Sequence, residues 1–144
     1  MKNEFTTFDI IKALDIPRER LREWLKRGFI KPNQAAEGQG TKAIFTRSDV
    51  YAVALFERLI EHGITRQAAA DELDRMISEG GINNNGQLVI RKEKRGDEQF
   101  IISSFLGQGW QIPPSTKGDI IVINFGELKK DVDSLLQVLG EDWE

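Results

Sequence analysis

The sequence predicts an α+β protein with a helical first half and a strand-rich second half. Three observations predict it. Capped apolar patterns of helical period recur four times between residues 6 and 77. Gly80-Gly81 and Asn83-Asn84-Asn85-Gly86 then break the chain. Beyond the break, three β-rich runs precede one last amphipathic helix. At 144 residues the chain suits one ordinary domain or two small ones. The break divides it into an expected domain at 1–81 and a smaller α+β domain at 86–144.

The elements follow in order. Thr6-Thr7-Phe8-Asp9 before Ile10, Ile11, Ala13 and Leu14 has capping-box spacing, so a short helix is expected up to Asp15. Pro17 disfavours helical geometry at Ile16 and suits the first turn of a second helix. Two short helices thus meet at a turn of helix-turn-helix length. In the second helix Leu21, Trp24 and Leu25 share one face. Arg20, Arg22, Lys26 and Arg27 spread over the opposite arc. Gly28 ends it as a C-cap.

Phe29 and Ile30 restart an apolar patch, residues 33–40 form a polar loop, and residues 41–46 read as a short strand. Together they describe a two-stranded wing, with Gly38 and Gly40 loosening its tip. Thr46 and Asp49 are spaced to cap a third helix to about Glu61, and Thr65 caps a fourth that ends at Gly80-Gly81. The N-terminal part is therefore a winged helix-turn-helix of four helices and a wing. In the second half, residues 88–90, 100–102 and 120–123 read as three short strands. Residues 91–98 read as a charged hairpin tip, and residues 112–115 as a loop. A C-terminal helix places Leu128, Val132, Leu135, Leu136 and Leu139 on one face.

Composition excludes several functions. There is no cysteine and one histidine, His62, so disulfides, a zinc finger and a cysteine-ligated sensor are ruled out. No cofactor or metal is expected. No apolar run approaches the roughly 18 residues of a membrane span, and the first seven residues lack the apolar core of a secretory leader. A cytoplasmic, membrane-free protein is expected. No Ser/His/Asp set or Cys/His pair is present, so no enzyme is expected. Net charge is −3, but it is unevenly spread. Residues 12–47 hold nine Lys and Arg against four Asp and Glu, a net of +5. Confinement of positive charge to the helix-turn-helix and wing is the footprint of a DNA-binding surface.

Several residues resemble, in order, the winged-helix domain of the MerR family of transcription regulators. Phe5-Thr6-Thr7 is similar to that family's aromatic-Thr-Thr opening. Ile10, Ile11, Leu14 and Ile16 match its first-helix core. Arg18-Glu19-Arg20-Leu21-Arg22-Glu23-Trp24 resembles its Arg-Glu-Thr-Leu-Arg-Tyr-Trp pattern, and Arg27-Gly28-Phe29-Ile30 its Arg-Gly-Leu-Ile. Phe45 with Asp49 matches its Tyr-x-x-x-Asp, and Glu61-His62-Gly63-Ile64-Thr65 its Glu-Leu-Gly-Phe-Ser. The resemblance covers about residues 5–76.

The resemblance implies a sequence-specific regulator of double-stranded DNA. It places Arg18, Arg20 and Arg22 at the major groove and the wing on flanking backbone. Arginine suits both tasks, forking onto guanine or clamping phosphate. Lys26, Arg27, Lys42 and Arg47 complete the candidate DNA-binding set. Short palindromic operators generally need a dimer, so a homodimer is expected. No small-molecule ligand is identified. Two departures stand out. Glu23 replaces the family's frequent Tyr, and would repel phosphate unless Arg27, four residues on, neutralises it. The family's wing arginine is Ala43 here, with Lys42 one position early. The strand-rich tail also differs from the long dimerising helix and effector site of that family.

Other readings stay open. A phage-type architectural factor, similar to an excisionase or small terminase subunit, would share the winged helix. So would a protein-interaction module that no longer binds DNA. Asp71, Glu72 and Asp74 read as a solvated acidic face, residues 91–95 as a solvated hairpin, and His62 as a structural helix end. Trp110 reads as a core plug or the wall of a small pocket. Residues 105–109 lack the lysine and helix of a P-loop.

Overall fold

The computed structural model describes residues 3–38, 40, 42–106 and 120–141. The side chains at 93–95, 98–100, 102 and 141 fall outside that description. Trp110, Trp143, Thr41, residues 107–109 and the loop expected at 112–115 lie outside the described residues. The architecture is α+β, as expected. It divides into two compact units, one running to Ala54 and resuming at Lys129, the other Leu55–Leu128. Both cuts fall within helices.

In the first unit, β1 (Glu4–Phe5) leads into α1 (Thr7–Leu14). Thr6 and Asp9 form the expected capping box. The Asp9 carboxylate accepts the Thr6 N–H at 2.8 Å, and the Thr6 hydroxyl accepts the Asp9 N–H at 3.3 Å. Asp15 ends α1 in left-handed geometry, φ 53°, which a short polar side chain tolerates. After Ile16, which is buried, and Pro17, α2 (Arg18–Lys26) begins. This is the helix-turn-helix that the sequence predicts.

At the end of α2 the Phe29 N–H bonds the Trp24 carbonyl at 3.0 Å, and the Gly28 N–H bonds that of Leu25 at 3.1 Å. This double bond pattern is a Schellman cap, which requires a left-handed residue at the second donor. Gly28 supplies it at φ +75°.

The wing is slighter than expected. Among the described residues its two arms join at one bridge, Gln34 with Ile44, whose reciprocal N–H to carbonyl bonds measure 3.0 and 2.8 Å. The expected strand at 41–46 becomes β2 (Phe45–Thr46), and it pairs with β1 instead of across the wing. The reason is burial. Pairing Phe45 with Phe5 sequesters both rings, which are 0 and 3% exposed. Thr46 then turns at once into α3 (Arg47–Glu61) as its cap. Asp49 is the hinge of this junction. Its carboxylate accepts the Thr46 N–H at 2.8 Å and the Asn33 N–H at 2.9 Å, tying the wing's first arm to α3. Gly38 and Gly40 at the tip both have positive φ.

In the second unit, Thr65 caps α4 (Arg66–Ser78), accepting the Ala68 N–H at 3.2 Å. A 3₁₀ turn at Gly81–Asn83 follows. Then come β3 (Gln87–Arg95), β4 (Glu98–Phe105), β5 (Ile120–Asn124) and α5 (Phe125–Glu141), which passes from the second unit into the first at Lys129. The sheet is antiparallel in the order β4-β3-β5. Central β3 buries Leu88, Val89 and Ile90 in succession. The three strands and the terminal helix match the sequence reading.

Three details differ. The charged run 91–95 is strand, and the hairpin tip shrinks to Gly96 and Asp97 between paired Arg95 and Glu98, because a two-residue loop closes an antiparallel pair most tightly. Glu72 is no solvated carboxylate. It is 5% exposed, held by the Arg75 guanidinium and the Ser103 hydroxyl of β4. Burying a charge demands such partners. Asp71 and Asp74 are exposed as expected. On α5 the buried stripe is Phe125, Leu128, Val132 and Leu136. Leu135 stands off it, 46% exposed, and Leu139 is half-buried.

Nothing lies within 4 Å of a Cβ built on Gly28. Gly28→Ala therefore tests backbone strain alone. A left-handed alanine costs about 1–2 kcal/mol, so thermal denaturation should show a lower midpoint by several degrees.

Candidate nucleic-acid interface

The roll of α2 follows from what it buries. Leu21 and Trp24 are 0 and 2% exposed, and Leu25 is half-buried. The rest of the helix faces outward, leaving Arg18, Arg20, Arg22, Lys26 and Arg27 exposed. Pro17 precedes the helix with no side-chain cap on its first turn. An uncapped helix start presents N–H groups suited to an anion.

The cations fall into two sets. Arg18 and Arg22, one turn apart, line an open groove of about 800 Å³ with Lys42. Its other walls are Thr6, Thr7 and Phe8 of α1, Glu19 and Leu25 of α2, and Ala36 and Ala43 of the wing. Lys42 reaches this groove although it precedes the family's arginine position. Residues 42 and 43 are irregular, so the alternation of a strand does not govern them. A second opening along Asn3, Glu4, Phe5, Thr6 and Ile44 shares Lys42. Among the described residues, no ion pair engages Arg18, Arg22 or Lys42.

Arg20, Lys26 and Arg27 do not line the groove. Arg27 is instead paired with Glu23, Nε to carboxylate 3.0 Å, one turn along the helix, and lies over the Phe29 ring at 6.0 Å. This supplies the neutralisation that Glu23 requires. The pair is exposed on both sides, so its stabilising effect is small.

Arg47 is placed differently again. It is half-buried, its guanidinium donates to Asp133 of α5 at 2.8 Å, and it stacks over Phe5 at 5.4 Å. The Tyr51 hydroxyl donates to the same Asp133 oxygen at 2.6 Å. Burial first, and the bond and charge of Asp133 second, push the Tyr51 phenol up to about 12. Lys129 lies over the Tyr51 ring at 5.6 Å, and burial holds its ammonium below the usual lysine range despite Asp133. Sequence reasoning missed Asp133 and Tyr51. They stand 82 residues apart, and no local pattern joins them.

Among the described residues there is no group of three or more His, Cys, Asp or Glu able to hold a metal. Among the described residues no helix is long and apolar enough to cross a membrane.

Two helices meeting at a tight turn, the second exposing cations beside a loop, define a winged helix-turn-helix of the DNA-binding class. A sequence model of the MerR HTH family regulatory proteins matches residues 5–76, half of the chain. The chain belongs to the MerR family and is a DNA-binding regulator in that general sense. No curated protein matches it.

Tyr51 is the chain's one tyrosine, so near-ultraviolet absorbance titration reports it alone. Its folded pKa, about 12, exceeds the ordinary 10.0. Its contribution to stability is therefore full below pH 10 and lost as pH rises from 10 to 12. Asp133→Asn should lower the titration midpoint but leave it above 10.0, because burial is the larger cause.

Proposed function

We propose that this protein is a sequence-specific transcriptional regulator that reads double-stranded DNA with α2 and flanks it with the wing. The observation that carries this reading is the single groove lined by Arg18, Arg22 and Lys42. The N-terminal half of the second helix is where helix-turn-helix proteins make base contacts. Arg22 is the first candidate for base readout, with Arg18 and Lys42 on bases or adjacent phosphates. Arg20 and Lys26 are exposed and serve as outer phosphate contacts. Arg27 and Arg47 contribute less, since each already holds a carboxylate. The mode of action is non-enzymatic and cytoplasmic.

The functional division we propose keeps DNA binding in residues 1–81 and assigns residues 86–144 to oligomerisation or partner contact. Leu135 and Val138, 46 and 57% exposed on α5, support a homodimer on that face. A two-fold protein matches the two-fold operators that such helices read.

Selection of a bound motif from randomised duplexes, with Arg22→Ala in parallel, tests the reading. The expected result is an enriched, two-fold symmetric motif that Arg22→Ala weakens at one base pair by about 1–3 kcal/mol. Absence of any motif, with only weak salt-sensitive binding, would overturn sequence-specific regulation in favour of an architectural or protein-contact role. Sedimentation of a stable monomer, with and without DNA, would remove the dimer.

A further inference from the structure

The cationic groove has an apolar wall that charge readout does not use. Its main element is Phe8. Asp9, Ile10 and Ala13 form the buried side of α1, and Phe8 points away from it. Phe8 is 58% exposed, the highest value among the large hydrophobics of the described residues. Lys12, one turn on, sets its ammonium over the ring at 5.5 Å from the centroid. The ring lines the same groove as Arg18, Arg22 and Lys42, with Leu25, Ala36 and Ala43 beside it.

A phosphate or a base-edge donor gains little from an aromatic wall. In the major groove each A·T pair offers one apolar group, the thymine 5-methyl, and apolar side chains recognise it by contact. Isolated exposed aromatics are common, but this one stands among three cations in a groove instead of in a continuous apolar patch. That setting matches a polyanion carrying methyl groups better than it matches an apolar protein surface.

We propose that Phe8 is a specificity-determining residue that selects thymine by contact with its methyl group, while Lys12 adds a phosphate contact at the same place. This rests on the DNA-reading role of the groove and adds a base preference that its arginines do not supply.

The test replaces each thymine of the selected motif in turn by deoxyuridine, which removes the methyl group and nothing else. Binding is measured for the wild type, Phe8→Ala and Phe8→Leu. The wild type should lose about fourfold at one or two positions, the value for one methylene-sized group at about 0.8 kcal/mol. Phe8→Ala should bind thymine and deoxyuridine equally there, and Phe8→Leu should retain part of the preference. Phe8 is exposed, so the variants should keep the wild-type circular dichroism and melting midpoint. A motif with no deoxyuridine penalty, or a penalty unchanged in Phe8→Ala, overturns the proposal and leaves DNA reading intact. A uniform loss of affinity in Phe8→Ala, independent of the methyl, assigns the ring to sugar contact and also overturns it. Normal DNA binding by Phe8→Ala at every position, with loss of a protein partner, would mark the groove as a protein site. Absence of any motif for the wild type removes both readings together.

Discussion

Burial of Trp24 and Leu21 sets the roll of α2, and almost everything on the outer surface of that helix depends on it. Two large side chains, 2 and 0% exposed, fix which residues of a nine-residue helix turn inward. A full apolar side chain is worth about 1.5–3 kcal/mol when buried, far more than any exposed pair on the same helix. The helix therefore cannot roll to suit its charges. Arg18 and Arg22 enter the groove because they lie on the Leu25 side, while Arg20 and Arg27 lie on the other. The Schellman cap at Gly28 then turns the chain directly into the wing, so helix and wing wall are placed by adjacent local events.

Local chemistry was readable in advance and long-range chemistry was not. The Thr6–Asp9 box, the Thr46–Asp49 cap, the Thr65 cap and the Gly28 stop each need residues at most five apart, and their side chains carry the signal. The family resemblance over about 5–76 drew on the same short patterns. By contrast, nothing in residues 41–46 announces that Phe45 pairs with Phe5, so the sequence alone assigns β2 to the wing. Glu72 looks solvated in the sequence because its partner Ser103 lies 31 residues away. Of the candidate site, the cations on α2 were readable from helical period. Their sorting into groove and non-groove sets was not, since it depends on where α1 and the wing come to rest. The engagement of Arg47 by Asp133, 86 residues distant, could only come from the folded chain.

The Asp133 cluster lies within the first unit and ties the part of α5 from Lys129 onward to α3. One carboxylate accepts from a guanidinium and a phenol, and a lysine stacks on the phenol's ring. A half-buried charge needs several partners to repay its lost hydration. Arg47 directly follows the β2 strand, and Asp49 two residues later holds the wing at Asn33. The C-terminal helix thus bonds the same short stretch of chain that anchors the wing.

The pairing of Arg27 with Glu23 and of Arg47 with Asp133 also bears on how strongly the protein is drawn to DNA of any sequence. Counterion release scales with the phosphates neutralised, at a slope of about −0.9 for each in duplex DNA. A cation that keeps its own carboxylate adds less to that slope than one with none. The chain as a whole carries −3. Such an arrangement keeps the sequence-blind part of the attraction small. On the proposed reading, discrimination then rests with the few side chains at the groove, and the protein is not held on DNA of arbitrary sequence.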